Sequence, residues 1–196
     1  MESTLTKTSG IAAFKEWAVS CDALGTGKQV MLFRKGGIKE KNQEFKVEHP
    51  HFYLFPTYEH QDQESIKEAY RPLLSQSLAA KPELGEVVIK YWAKVDEAIS
   101  MPGMDMVVKQ DANHIWSESC IKYRWEWQSH KPLWLLLLRV YELEKPQTLE
   151  VLEDYTGCKS WVDFQASAAE LGELPCRPVL DDAAYAAMAA KVRAQL

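Results

Sequence analysis

The amino-acid sequence predicts an α+β protein with a mixed, mostly antiparallel central sheet, helices packed against it, and an amphipathic helix at the C-terminus. Three observations predict it. Val30–Phe33 and Leu133–Leu138 are continuous apolar runs, the pattern of strands buried on both faces. Asp181–Leu196 carries helix signals at both ends and one apolar stripe along its length. Between these landmarks strands and helices do not alternate regularly, which favours α+β over a doubly wound sheet.

The elements follow in chain order. Ile11–Ala23 reads as a short helix, or a helix running into a strand, and Gly25-Thr26-Gly27 as a turn. Gln29–Arg34 is a strand that Gly36-Gly37 ends. Glu44–Val47 and Phe52–Phe55 read as further strands, punctuated by Pro50 and Pro56, because proline cannot donate to a central ladder. Asp62–Gln76 is helix-like, with Asp62 as N-cap and Pro72 expected to kink or end it. Glu86–Val95 fits either period, and its β-branched and aromatic content assigns it to a strand. Asp105–Ser119 reads as helix, and Leu133–Leu143 as the strongest strand, in a central position. Glu170–Pro178, with Gly172, Pro175 and Pro178, reads as a linker. In the last helix Asp181 and Asp182 stand at the start and Lys191 and Arg193 near the end, which complements the helix dipole. Tyr185, Met188, Val192 and Leu196 make its apolar stripe. The expected organisation is one α+β domain over residues 1–166, with 167–196 as a linker and helix packed on the same domain.

A chain of 196 residues buries a core without staples. None of Cys21, Cys120, Cys158 and Cys176 stands in a Cys-x-x-Cys pair, which speaks against a zinc ribbon or a thioredoxin motif. Met1–Gly10 is polar and has no secretory core, so the expectation is a cytoplasmic protein with reduced thiols. The longest apolar run falls far short of the roughly 20 residues a membrane helix needs. The net charge of −5 argues against a general polyanion binder, but the charge is uneven. Lys28, Arg34, Lys35, Lys39, Lys41 and Lys46 face only Glu40 and Glu44, whereas from Glu142 onward ten carboxylates outnumber five cations. A local basic patch on an acidic protein suits a small anion or a specific partner; a solvated charged loop has the same composition.

The sharpest constellation is Arg34-Lys35-Gly36-Gly37, where a buried strand delivers two cations into a double-glycine turn. Glycine permits φ > 0 and close backbone approach, successive N–H groups form an anion nest, and arginine offers a planar fork for phosphate. Arg139 and Lys159 are further candidate anion ligands. The histidines His49, His51 and His60, with Glu59 beside the last, supply acid–base candidates, His60 and Glu59 foremost. Their spacing matches no zinc signature, and no metal ligand set is assigned. Glu44 and Lys46 lie on one strand face, as in metal-dependent nucleases that add an upstream carboxylate, here Asp22 or Glu16. Cys158 beside Lys159 has the setting of an activated thiol or of a buried turn residue. Trp116, Trp125, Trp127 and Trp134, with Arg124 and Arg139, fit a base-stacking platform or a core.

The strings Phe14-Lys15-Glu16-Trp17-Ala18, Arg34-Lys35-Gly36-Gly37-Ile38, Leu54-Phe55-Pro56-Thr57-Tyr58-Glu59-His60-Gln61, Leu136-Leu137-Leu138-Arg139-Val140-Tyr141 and Gly157-Cys158-Lys159-Ser160-Trp161-Val162 go together. Their combination resembles the bacterial family known as domain of unknown function 1802, over about residues 11–164, with the alanine-rich tail outside. The resemblance implies a bacterial or phage-like cytoplasmic protein and carries no activity. Three functions remain open on the residues. The first is a protein that binds a phosphate-bearing small molecule or nucleic acid, with possible hydrolysis. The second is a non-catalytic interaction protein, as a homodimer or accessory subunit. The third is the metal-dependent nuclease.

Overall fold

The computed structural model describes residues 11–35, 49–127, 129, 131–157, 160–164 and 174–196. Their order is β1 (Ile11–Trp17), α1 (Ala18–Gly25), β2 (Met31–Lys35), β3 (His51–Thr57), α2 (Arg71–Ala79), β4 (Glu86–Met101), α3 (Met104–Lys109), α4 (Glu118–Glu126), β5 (Leu133–Glu150), β6 (Trp161–Phe164), β7 (Cys176–Pro178) and α5 (Asp182–Arg193). The sheet runs β2-β5-β4-β3-β1-β6, with β7 added against β5. β1 and β3 pair in parallel, and the other pairings among the described residues are antiparallel. The mixed, mostly antiparallel α+β sheet is therefore the fold.

The sheet is curled. Four strand steps separate β2 from β1, about 19 Å in a flat sheet. Yet the Arg34 guanidinium of β2 lies 4.0 Å from the ring centroid of Phe14 on β1. Irregularities in the β4–β5 ladder between Ile89 and Tyr91, and between Val95 and Glu97, help the two longest strands to bend. Across the first of them β4 changes face: Val87 and Ile89 join one apolar cluster, Tyr91 and Ala93 the other. The larger cluster fills the curl and the helix side, with Phe14, Phe33, Phe52, Leu54 and the β5 run Leu135–Leu138. The smaller one lies on the other face, with Ala13, Tyr53, Phe55, Tyr155 and Phe164. Successive residues of β1 and β3 divide between the two, as the period of a strand dictates.

Several local expectations are corrected. The first segment is a strand and then a helix, the reverse of its expected order, because β1 is paired on both sides, by β3 and β6. Pro72 neither kinks nor ends a helix. It sits in the first turn of α2, where a missing N–H costs nothing, and Asp62 instead caps a turn by accepting from the Ser65 N–H at 2.7 Å. The single helix expected over Asp105–Ser119 is α3, a short 3-10 turn and an extended stretch whose Trp116 bridges Ile66. Cys176–Pro178 in the expected linker forms β7. The strand expected over Glu44–Val47 lies outside the described residues. No helix among the described residues is long and apolar enough to cross a membrane.

Candidate functional site

Arg34 enters the site as the penultimate residue of a strand whose preceding residues, Met31, Leu32 and Phe33, are fully buried. In the β2–β5 register it stands directly opposite Trp134. Its guanidinium stacks on Phe14, and Phe14 in turn packs on Trp161 of β6 at 5.0 Å between ring centroids and on Phe52 at 5.6 Å. Arg34 Nε and Nη2 are shut off from solvent, and no hydrogen-bond acceptor among the described residues meets them. The same holds for the indole N–H groups of Trp161 and Trp116. Buried donors nearly always have acceptors, so a group of orphaned N–H donors around one arginine is unusual.

The charges beside Arg34 come from distant elements. Glu16 follows Phe14 by two residues on β1 and shares its face. It is 7% exposed, and its Oε1 accepts from the Trp17 backbone N–H at 2.8 Å. Arg124 arrives from α4, which Ser117 caps by accepting from the Cys120 N–H at 3.3 Å. Its Nη2 lies 3.7 Å from Glu16 Oε1, and its guanidinium sits 4.7 Å from the Trp116 ring and 5.5 Å from the Trp17 ring. The buried Gln29 anchors the wall beneath: its Oε1 accepts from the Ile115 N–H at 3.1 Å and its Nε2 donates to the Met31 carbonyl at 3.1 Å. That bond holds His114–Trp116 against β2, where His114 and Trp116 pack on Phe33.

Two cations thus share one carboxylate in an aromatic enclosure. Burial pulls the Arg34 guanidinium below its ordinary value, down to about 10; Glu16 opposes the fall and Arg124 adds to it. Arg34 stays charged at neutral pH. Burial also works against the charge of Arg124, but Glu16 and Cys120 outweigh it and hold that group above its ordinary value. The residual positive charge and the orphaned donors suit an acceptor-only group, a phosphate or carboxylate.

The other expected site residues are distributed as follows. Lys35 donates to the Trp125 carbonyl and lies 5.5 Å over the Trp125 ring, and burial lowers its pKa. Arg139 is taken up by α5: it pairs with Asp182 at 2.7 Å and stacks 4.8 Å from the Tyr185 ring. Glu59 and His60 are exposed in the turn after β3, with His60 at φ 59°. That turn is tied to the Glu16 corner, since Thr57 Oγ1 donates to the Glu16 carbonyl at 3.1 Å and Gln61 Oε1 accepts from the Val19 N–H at 3.2 Å. His49 and His51 diverge: His49 packs 4.8 Å from Trp161, within the site, and His51 6.1 Å from Trp92, on the other face. Gly36, Gly37, Lys159, Cys158 and the Glu44–Lys46 pair lie outside the described residues. The upstream carboxylates weighed for a nuclease are engaged, Glu16 with Arg124 and Asp22 with the Ser77 hydroxyl. Among the described residues no three His, Cys, Asp or Glu side chains gather as a metal site would need.

Sequence reasoning placed Arg34 in the site and missed Glu16, Arg124, Phe14, Trp161 and His49 as its partners. Their only common signal is the alternation that puts Phe14 and Glu16 on one strand face. Two hollows are lined by other residues. One, of about 350 Å³, is lined by Lys90, Glu142 and Arg177, and there Arg177 is already bonded to Glu142. The other, of about 280 Å³, is lined by Ile11, Trp92 and Leu174. Neither contains a buried donor lacking an acceptor.

Fold and site together define an α+β protein whose curled sheet holds an arginine-centred aromatic enclosure. The chain belongs to the family described as domain of unknown function (DUF1802), whose model matches residues 13–191. The match runs into α5, so most of the alanine-rich tail lies inside the family, contrary to the expectation from the motifs. Among solved structures the chain is similar to ASCH from Zymomonas mobilis, at 13% identity over 85% of this chain and 97% of that one, with a TM-score of 0.47. It is similar too to a point mutant of that protein, at 11% identity over 85% and 98%, with a TM-score of 0.48. No curated protein matches the sequence.

Proposed function

We propose that the enclosure binds a phosphate-bearing ligand, a nucleotide or a nucleic-acid end, with Arg34 as the group that meets its anionic oxygens. The observation that supports this most is the Arg34 guanidinium itself, stacked on Phe14 with Nε and Nη2 lacking any acceptor among the described residues. Leaving such donors unmet costs about 1–3 kcal/mol or more, and a bound oxyanion removes that cost. Nε and Nη2 make one edge of the guanidinium fork, the edge that grips two oxygens at once. Glu16 and Arg124 hold the local charge slightly positive rather than strongly so. Lys35, the backbone of Gly36 and Gly37, and Lys159 complete the proposed ligand set by their places in the chain next to Arg34 and Trp161. Arg139 joins that set only by giving up Asp182. Glu59 and His60, anchored to the Glu16 corner, are the acid–base pair proposed for any hydrolysis of the ligand.

Calorimetric titration with inorganic phosphate, mononucleotides and a short oligonucleotide tests the reading. Wild type is expected to bind at least one of them, and Arg34→Lys, which keeps the charge and loses the fork, to bind it about tenfold or more weakly. Equal affinity in the two proteins, or no binding of any probe, contradicts it.

A further inference from the structure

Two exposed aromatic rings belong to the segment that brings Arg124 to Glu16 and the Trp125 carbonyl to Lys35, the neighbour of Arg34. Among the large hydrophobic side chains exposed in the described residues, the aromatic ones are Tyr123, at 67% exposure, and Trp127, at 49%. Tyr123 lies in the last turn of α4 and Trp127 is the residue that caps it, its N–H donating to the Tyr123 carbonyl at 2.9 Å, so the two stand on one flank of the helix end. Trp127 is also three residues from Arg124, and that flank therefore adjoins the side from which Arg124 reaches Glu16 and Trp116. Lys122 and Lys131 are exposed on the same stretch, opposed by Glu118 and Glu126.

We infer that α4 extends the Arg34 site into a platform for single-stranded nucleic acid, with a phosphate at Arg34 and neighbouring bases stacked on Trp127 and Tyr123. The inference rests on the reading of Arg34 as an anion site and adds the polymer as its ligand. Two rings displaced along one helix flank serve two bases, which a free nucleotide does not have. Any base has a face to stack, so this platform is tolerant of sequence, and the unmet Nε and Nη2 donors of Arg34 select a phosphate backbone over an uncharged peptide. The net charge of −5 keeps the number of phosphate contacts small.

The test is fluorescence anisotropy with a labelled mixed-sequence single-stranded decamer, competed by unlabelled decamer, mononucleotide and inorganic phosphate. Wild type is expected to bind the decamer at least tenfold more tightly than the mononucleotide. The slope of log affinity against log salt should be shallow, about −1.4 for two phosphate contacts. Tyr123→Ala/Trp127→Ala should lose that preference, by about tenfold per ring, while keeping its unfolding midpoint and its affinity for the mononucleotide. Tyr123→Phe/Trp127→Phe should retain it. If decamer and mononucleotide bind wild type equally, or the double alanine variant binds the decamer as wild type does, the platform is refuted while the Arg34 site stands. Loss of every ligand in Arg34→Lys with an intact platform preference in wild type supports both readings. Absence of binding by any probe overturns both. A Tyr123- and Trp127-dependent self-association without decamer binding overturns the nucleic-acid reading in favour of a protein contact.

Discussion

Two arginines on neighbouring strands, Arg34 of β2 and Arg139 of β5, are both stacked on an aromatic ring, at 4.0 Å from Phe14 and 4.8 Å from Tyr185. There the likeness ends. Arg139 is paired with Asp182 and lies among bonds that fasten α5: Tyr185 Oη donates to Asp96 at 3.0 Å, Arg193 donates to Asp96 at 3.1 Å, and Gln110 Nε2 donates to the Val192 carbonyl at 3.0 Å. Arg34 has two orphaned donors, Nε and Nη2. The polar groups that fasten α5 meet partners within the chain, whereas Arg34 Nε and Nη2 meet no acceptor among the described residues. The first arrangement stabilises a fold, and the second, on the function proposed above, is kept for an anion.

The largest expected difference between the regions is in their response to acid. His114, packed on Phe33 and Trp116 and 2% exposed, is held neutral: burial above all, then Lys67, pushes its pKa from 6.5 down to about 3. The unfolded chain takes up a proton near pH 6.5, and the folded one does not until about pH 3. The stability His114 contributes is therefore complete above pH 6.5 and is lost as the pH falls toward 3, at up to about 1.4 kcal/mol per pH unit. Urea midpoints from pH 7.5 to 4 should fall in wild type more steeply than in His114→Phe. Parallel curves would show that the acid sensitivity does not come from the Arg34 side.

Substitution of the two arginines should give opposite signs. Arg34→Met replaces a half-buried cation, two of whose donors meet no acceptor among the described residues, with an apolar chain, and is expected to raise ligand-free stability by about 1–3 kcal/mol. Arg139→Met breaks a partnered cation away from Asp182 and should lower stability by about 1 kcal/mol. Destabilisation by both, in equilibrium denaturation, would mean that Arg34 is as structural as Arg139. A smaller effect sharpens the α5 side. Asp181 accepts from the Ala184 N–H at 2.7 Å, so Asp181→Ala should cost about 1 kcal/mol. Because we also propose that residues 1–166 and 167–196 fold as one unit, that loss should appear as a shift of a single transition. A separate early transition would contradict it.

The same contrast explains what was legible in the sequence. The α5 region is locally coded: Asp181, the charged ends and the apolar stripe all lie within one helix, and the helix forms with that N-cap. The buried strands announce themselves by unbroken apolar runs, and β2 and β5 form where Val30–Phe33 and Leu133–Leu138 place them. β1 was not legible as a strand, because Ala12, Ala13, Lys15 and Glu16 do not favour strand locally. What makes it one is pairing on both sides by segments remote in the chain. The site fails to announce itself for the same reason. Arg34 was visible as a cation beside glycines. Its partners Phe14, Glu16, Trp161 and Arg124 meet it only through the curl of the sheet and the docking of α4, for which no local pattern stands.

The central proposal, that Arg34 Nε and Nη2 are kept for a ligand, is tested most directly by thermal unfolding of wild type and Arg34→Met with and without a phosphate-bearing ligand. Without ligand the variant should melt higher than wild type. At about a hundred times the dissociation constant, ligand should raise the wild-type midpoint by about 5–11 °C and leave the variant unmoved, so that the order of the two proteins reverses. Equal ligand-induced shifts in the two proteins, or a variant that melts lower than wild type under both conditions, would contradict it.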